Sequence, residues 1–81
     1  MKKKTILIVG SEGLIGQSLH KSLVERYNCI RIDIKDKKEK NYYKCDLKKP
    51  INFRKILKKI NKQDKIFAAI NTMYPLKHSN F

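Results

Sequence analysis

A short apolar run followed by regularly spaced glycines constrains the fold of this chain more than any other feature. Residues Thr5 to Val9 form a β-branched run, and glycines follow at positions 10, 13 and 16. The run does not alternate between apolar and polar residues, which predicts a strand buried on both faces. From Leu14 to Tyr27 the apolar spacing becomes helical. The glycines are therefore predicted to form a turn between a strand and a helix.

Each glycine of this turn has a mechanical task if the turn holds a dinucleotide. Gly10 lets the chain leave the strand tightly, Gly13 lets backbone approach a diphosphate with no Cβ in the way, and Gly16 lets the helix pack close to the sheet. The start of the helix offers N–H groups and a positive dipole to the anion. The alternative is a glycine turn that binds nothing. The other predicted binding residues of the turn are Ser11, Leu14 and Ile15.

The rest of the chain alternates between strand and helix patterns. Further strands are predicted over residues 29–34, 42–45 and 65–71, and a second helix over 51–61 after Pro50, whose missing N–H suits a first turn. This succession predicts an α/β fold with a parallel sheet and right-handed crossovers. The expected strand order is 3-2-1-4 with two helices, half of a doubly wound Rossmann sheet. We expect this half-domain to span residues 1–72, with an irregular tail over 73–81.

The first helix is expected to turn one stripe of side chains toward the sheet. Small serines on that stripe would let the helix lie close to the strands. The stripe consists of Leu14, Ile15, Ser18, Leu19, Ser22, Leu23 and Arg26.

Polar residues follow the later strands at the edge where the glycine turn lies. Asp33 ends the second strand about 20 residues past the turn, where a carboxylate can bond the ribose hydroxyls of adenosine. Such a carboxylate repels a 2′-phosphate, which favours NAD over NADP, although Lys35 and Lys37 follow closely. Asn71 ends the fourth strand at the edge where doubly wound folds bind ligands. Simple strand termination is its alternative, since Asn favours turns.

Asp46 and Leu47, which follow the third strand, allow two interpretations. In one, the carboxylate meets the exocyclic amine of adenine and Leu47 packs against the ring. In the other, Asp46 is a loop residue that caps the helix starting near Pro50. Spacing alone does not separate them.

These segments, taken in order, resemble the short-chain dehydrogenases/reductases, and the G-x-x-G-x-x-G spacing is similar to their extended type. The segment from Asn71 to Pro75 resembles the fourth-strand Asn segment of bacterial dehydrogenases of surface-glycan and flagellin modification. Val9 stands where the family often has Thr, and Met73-Tyr74 replaces its usual Ala-Gly. The resemblance implies an NAD site made of Gly10, Gly13 and Gly16 at the diphosphate, Asp33 at the ribose, Asp46 and Leu47 at the adenine, and Asn71 at the cofactor's ribose side.

The family's chemistry requires a tyrosine with a lysine four residues on, and no tyrosine of this chain has that partner. We therefore expect the NAD-binding N-terminal portion of such an oxidoreductase, truncated before its catalytic residues and without turnover alone. No catalytic or metal-binding residue is predicted; His20 and His78 are expected to be solvated, because no further acid lies near either in sequence. Glu12 is expected to point to solvent, since its charge repels phosphates.

The net charge of +13 has two interpretations. The chain is either a small basic nucleic-acid-binding module or a protein with solvated lysines. The basic residues are spread along the whole chain, which favours the second interpretation and makes nucleic acid an unexpected partner. The densest basic segment is the second predicted helix, with Lys48, Lys49, Arg54, Lys55, Lys58, Lys59 and Lys62. An inert truncation product is a third possibility.

Two cysteines and the short apolar runs bear on the surroundings of the chain. Cys29 and Cys45 form no C-x-x-C pair, which predicts reduced thiols and a cytoplasmic location. The first apolar run is too short for a signal peptide or a membrane span. The fourth strand is expected to be an exposed apolar edge, through which copies of the chain or a second chain associate.

Overall fold

A computed structural model describes residues 3–73 as a four-stranded parallel sheet with two helices. The strand order β3-β2-β1-β4 confirms the predicted α/β half of a doubly wound sheet. The predicted tail lies outside the described residues, apart from Met73. The elements are β1 (Thr5–Val9), α1 (Leu14–Leu23), β2 (Asn28–Asp33), β3 (Tyr42–Lys44), α2 (Pro50–Gln63) and β4 (Ile66–Asn71).

The sheet buries a different apolar cluster on each face, because α1 and α2 lie on opposite sides. β1 lies between β2 and β4 and contributes to both clusters, which explains why its sequence does not alternate. The α2 face buries Leu7, Val9, Ile30, Ile32, Cys45 and Ile60. The α1 face buries Ile6, Ile8 and Cys29, with Leu19, Leu23 and Tyr27 packed against them.

Helix α1 is shorter than the sequence predicted, and its contact stripe is different. The helix ends at Leu23, whose carbonyl oxygen then accepts the N–H groups of Arg26 and Tyr27 in a turn. The side chains of Ser18 and Ser22 are exposed, so the expectation that small serines face the sheet was wrong. Only Gly16 of α1 is buried. The tightest packing of α1 therefore occurs in its first turn, where Gly16 lies against the backbone of the preceding turn.

The connection from β2 to β3 contains no helix and is rich in charge. It covers residues 34–41 and ends at Asn41, whose φ of 60° lies in the left-handed region that Asn tolerates. The loop returns to the β2 edge, where the Arg31 N–H donates to the Asn41 carbonyl oxygen at 2.9 Å. Within residues 3–73, neither helix has the length and apolarity needed to cross a membrane.

Strand β4 is an edge of the sheet. Its register against β1 shifts between Thr5 and Ile6, so that Phe67 is an extra residue in the ladder. The Phe67 side chain is 59% exposed, with the Lys4 ammonium 4.2 Å from its ring centroid. The edge strand thus carries an exposed aromatic residue at a bulge.

Candidate functional site

All four strands end at one edge of the sheet, and the predicted site residues gather there. The turn after β1 starts at Gly10, whose φ of +83° belongs to the left-handed region. Its N–H donates to the Ile32 carbonyl oxygen at 2.9 Å, which continues the β1–β2 ladder into the turn. Gly10 therefore allows the tight exit from β1 that the sequence predicted.

Gly16 brings the start of α1 against the turn. A Cβ added at Gly16 would lie 2.3 Å from the Gly10 carbonyl oxygen and 2.6 Å from the Ser11 Cα. No side chain fits at those distances, so glycine is required by the fold here. The close partner of Gly16 is the backbone of the turn rather than the sheet.

Gly13 differs from the other two glycines, because the fold itself does not require it. It is the N-cap of α1 with ordinary φ and ψ of −78° and 174°, and it is exposed. An added Cβ would meet only the Gly10 carbonyl oxygen, at an ordinary 3.7 Å. Serine is a better N-cap than glycine in most helices. The glycine at this position thus leaves open space in front of the helix.

The first turn of α1 presents backbone donors to that space. The first intrahelical bond runs from the Gln17 N–H to the Gly13 carbonyl oxygen. By helix geometry, the N–H groups of the three residues between them have no partner inside the helix. The first turn has no acidic side chain to neutralise its positive end. An anion in front of Gly13 would accept these hydrogen bonds. The side chains of Leu14 and Ile15 are exposed beside this space.

Asp33 lies directly against the glycine turn, as the sequence predicted. Its Oδ2 accepts the Glu12 backbone N–H at 2.8 Å, and its Oδ1 accepts the Ile34 N–H at 2.6 Å. A carboxylate has about four lone-pair positions, so acceptor capacity is left on both oxygens. The turn and the carboxylate of the predicted site are therefore neighbours, although they lie 21 residues apart in the chain.

The expectation that Glu12 points to solvent was wrong. Its side chain is only 9% exposed, and its Oε1 lies 2.8 Å from the Lys37 ammonium. Its Oε2 lies 3.9 Å from Arg31 and accepts the Ser11 hydroxyl at 3.2 Å. The Ser11 N–H is also engaged, with the Ile32 carbonyl oxygen at 3.4 Å. Both polar groups of Ser11 are therefore directed into the chain rather than toward a ligand.

Glu12 belongs to a four-membered charge network that the sequence analysis missed. Glu39 accepts from Arg31 at 2.8 Å and lies 3.5 Å from Lys37. The hydrogen bond to Glu12 raises the pKa of Lys37, and the hydrogen bond from Arg31 lowers the pKa of Glu39. One signal was available in the sequence. Arg31 lies inside a buried strand, and a buried cation requires anionic partners.

The environment of Asp46 and Leu47 contains features of both interpretations. The Asp46 Oδ1 accepts the Lys48 N–H at 3.0 Å, so this carboxylate orders the turn before α2. The N-cap of α2 is Lys49 rather than Asp46. Leu47 lines an open apolar cleft of about 450 Å³ at the carboxyl edge of the sheet, together with Val9 and Asn71. Phe53, Leu57 and Met73 also line this cleft.

Asn71 and Thr72 connect the end of β4 to the glycine turn. The Asn71 Oδ1 accepts the Met73 N–H at 2.9 Å, while the rest of its amide is exposed at the edge. The Thr72 hydroxyl lies 2.8 Å from the Val9 carbonyl oxygen and 2.9 Å from that of Gly10. Thr72 was not predicted as a site residue, although it lies in the Asn71 to Pro75 segment that carries part of the resemblance. It fixes the turn by bonding the carbonyls on its inner side.

Neither a protein-family model, nor a curated protein, nor a solved structure matches this chain. The resemblance to short-chain dehydrogenases/reductases therefore stays a prediction. No three His, Cys, Asp or Glu residues in the described range lie together in a group that could hold a metal ion. Burial raises the pKa of Tyr42 to about 12. That direction is opposite to the one that proton exchange by a catalytic tyrosine needs near neutral pH.

Proposed function

We propose that this chain binds NAD through the glycine turn between β1 and α1. The diphosphate of NAD lies in front of Gly13, and the hydroxyls of the adenosine ribose bond to the Asp33 carboxylate. The observation that carries the proposal is the 2.8 Å hydrogen bond from the Glu12 N–H to Asp33, which holds a carboxylate beside an open, unneutralised helix start. These are the two parts that a dinucleotide of this kind requires, an anion site and a sugar site.

The open space at Gly13 supports the proposal independently of the hydrogen bonds. Gly10 and Gly16 are explained by the backbone conformation and packing of the chain, whereas Gly13 is not. A ligand that needs backbone within contact distance explains this third glycine. The apolar cleft beside Leu47 and Asn71 is suited to the flat face of an adenine ring.

The choice of NAD over NADP rests on the charge at the ribose position. Asp33 repels a 2′-phosphate, and Lys37 is already paired with Glu12 and Glu39. NAD supplies hydride transfer when it is bound. The chain has no tyrosine with a lysine four residues on, so we propose cofactor binding without turnover, as the nucleotide-binding portion of an oxidoreductase similar to the short-chain dehydrogenases/reductases.

Two broader features belong to the same proposal. The thiols of Cys29 and Cys45 are free and buried, which supports a reducing compartment such as the cytoplasm. The exposed apolar edge of β4 supports association with a second chain or a second copy.

The test of NAD binding uses Gly13→Ser and isothermal titration calorimetry. The unchanged chain is expected to bind NAD more tightly than NADP. A serine N-cap supplies a side-chain oxygen that accepts a backbone N–H of the first turn of α1, so Gly13→Ser is expected to fold with equal or slightly greater stability, by a few tenths of a kcal/mol. Its side chain fills the space in front of the helix, so NAD binding is expected to weaken at least about tenfold, or ~1.4 kcal/mol.

Lys49→Ser is the control for helix capping, because it places the same cap on α2 at a residue that does not line the cleft beside Leu47. We expect its NAD affinity to stay within about twofold of the unchanged chain, since less than ~0.5 kcal/mol of binding energy is involved. Absence of NAD binding by the folded, unchanged chain at millimolar cofactor would contradict the proposal. Equal binding by Gly13→Ser would contradict the placement of the diphosphate.

A further inference from the structure

Beside the proposed ribose position lies an open cleft of about 610 Å³ that is lined mainly by cationic and polar side chains. Its cations are Lys21, Arg31, Lys35 and Lys37, and His20 also faces it. Only Glu12 and Glu39 supply negative charge among its lining residues. The cleft therefore has the composition of an anion site in which carboxylates of the chain partly neutralise the cations.

Glu12 connects this cleft to the proposed dinucleotide site. Its backbone N–H donates to Asp33, while its carboxylate lies 2.8 Å from Lys37 and 3.9 Å from Arg31. One residue thus contacts both the proposed sugar position and the cationic cleft. A phosphate bound by Lys37 or Arg31 would therefore lie close to the Glu12 carboxylate, which is 2.8 Å and 3.9 Å from these two cations.

Arg31 has unused capacity to bind an anion. The residue is 9% exposed, and its Nε has no hydrogen-bond partner within the part of the chain that the structure describes. Guanidinium groups favour planar, bidentate contact with phosphate or carboxylate oxygens. Among carboxylates, the Arg31 guanidinium lies 2.8 Å from Glu39 and 3.9 Å from Glu12.

We propose that Glu12 occludes a phosphate-monoester site formed by Arg31 and Lys37, and that it thereby adds to the preference for NAD over NADP that Asp33 sets. The second half of this statement rests on the proposed function. The four charges of the network balance at present, two of each sign. Neutralising Glu12 leaves an excess positive charge beside the ribose position and removes the carboxylate with which a phosphate monoester competes for Lys37 and Arg31.

Glu12→Gln tests this assignment because the amide keeps the size of the side chain while removing its charge. Glu25→Gln is the matched control, since Glu25 is exposed after α1 and the charge change is the same. Backbone amide shifts of ¹⁵N-labelled protein report binding of inorganic phosphate at low salt. Calorimetry reports the ratio of the NADP and NAD dissociation constants. Circular dichroism confirms that each variant is folded.

We expect Glu12→Gln to bind inorganic phosphate at least about tenfold more tightly than the unchanged chain, as a charge-assisted hydrogen bond allows. The shifts are expected to centre on Arg31 and Lys37. The ratio of the NADP to the NAD dissociation constant is expected to fall about tenfold, with Glu25→Gln within about twofold of the unchanged chain. The double variant Glu12→Gln/Lys37→Gln is expected to lose most of both gains.

The two proposals fail in different ways. If the unchanged chain binds NAD, but Glu12→Gln gains neither phosphate affinity nor NADP affinity, the role of Glu12 is overturned and NAD binding stands. If no dinucleotide binds, but Glu12→Gln gains phosphate at Arg31 and Lys37, the occluded site is upheld and the NAD proposal is overturned. A gain by Glu25→Gln equal to that of Glu12→Gln would reduce the effect to net charge and overturn the assignment.

Discussion

The burial of Tyr42 depends on residues that are not next to it in the sequence. Tyr42 lies in the short strand β3 with lysines before and after it, yet its ring is buried under Arg31 and Lys37. Its hydroxyl donates to the Lys35 carbonyl oxygen at 2.5 Å. Burial, together with the nearby carboxylates of Asp33 and Glu12, raises the pKa of Tyr42 to about 12.

The raised pKa of Tyr42 predicts a loss of stability in alkali. The unfolded chain releases this proton near pH 10.0, whereas the folded chain retains it to about 12. Between these values the unfolded state binds fewer protons, so the free energy of unfolding falls as pH rises. Urea denaturation at pH 9 to 12 measures this free energy of unfolding. Tyr42→Phe removes this contribution and is expected to show a shallower decline, and an equal decline in both proteins would contradict the prediction.

At the scale of helices and strands, most of the architecture was predictable. The β-branched run of β1 and the spacing of apolar residues in α2 each specify one element, and the strand order follows from the doubly wound arrangement that the alternation of strands and helices indicates. The end of α1 was not predictable in this way. No glycine or proline marks Leu23, and Tyr27 continues the apolar pattern because it packs on the same cluster from outside the helix.

The residues of the site that are fixed by local backbone structure could be predicted from the sequence. Those held by side chains distant in sequence could not. The glycine positions and Asp33 follow from a local turn and a strand end. The burial of Glu12 depends on Lys37 and Arg31, which lie 25 and 19 residues away along the chain and reach it only in the folded state. The prediction that Glu12 points to solvent considered only its repulsion of a bound phosphate. It did not include the attraction of Lys37 and Arg31.

Helix α2 is expected to be stabilised mainly by the apolar residues on the face that packs against the sheet. Ile60 is 1% exposed and belongs to the cluster under α2, whereas Ile51 in the same helix is 67% exposed. Ile60→Ala is expected to lower the free energy of unfolding by about 3 kcal/mol, because it removes buried methyl groups and leaves a cavity. Ile51→Ala, as the control, is expected to stay within about 0.5 kcal/mol. Urea denaturation measures both, and equal losses would contradict the predicted packing.

The whole molecule combines a large positive charge with an apolar strand edge. The net charge of +13 opposes self-association at low ionic strength, while the β4 edge with Phe67 favours it. Salt screens the repulsion and strengthens apolar contact, so association is expected to grow with salt concentration.

Light scattering with size-exclusion chromatography tests association through β4. Phe67→Lys adds charge to the bulge and is expected to keep the chain monomeric at a salt concentration where the unchanged chain associates. Val24→Lys, which replaces an exposed apolar residue after α1, makes the same change in charge away from the edge. It is expected to associate as the unchanged chain does. A monomer at all salt concentrations would exclude the edge as an interface.

The hydrogen bonds of Thr72 bear on when the glycine turn is completed during synthesis of the chain. Its backbone N–H and hydroxyl lie within hydrogen-bond distance of the Val9 carbonyl oxygen, and its hydroxyl also reaches that of Gly10. The ribosome makes the glycines early, and the Gly10 carbonyl oxygen can accept the Gly13 N–H within the turn, but the Val9 carbonyl oxygen acquires the Thr72 N–H only when residue 72 has emerged. The nascent chain is therefore expected to complete its turn, and any affinity for an anion there, only when β4 joins the sheet.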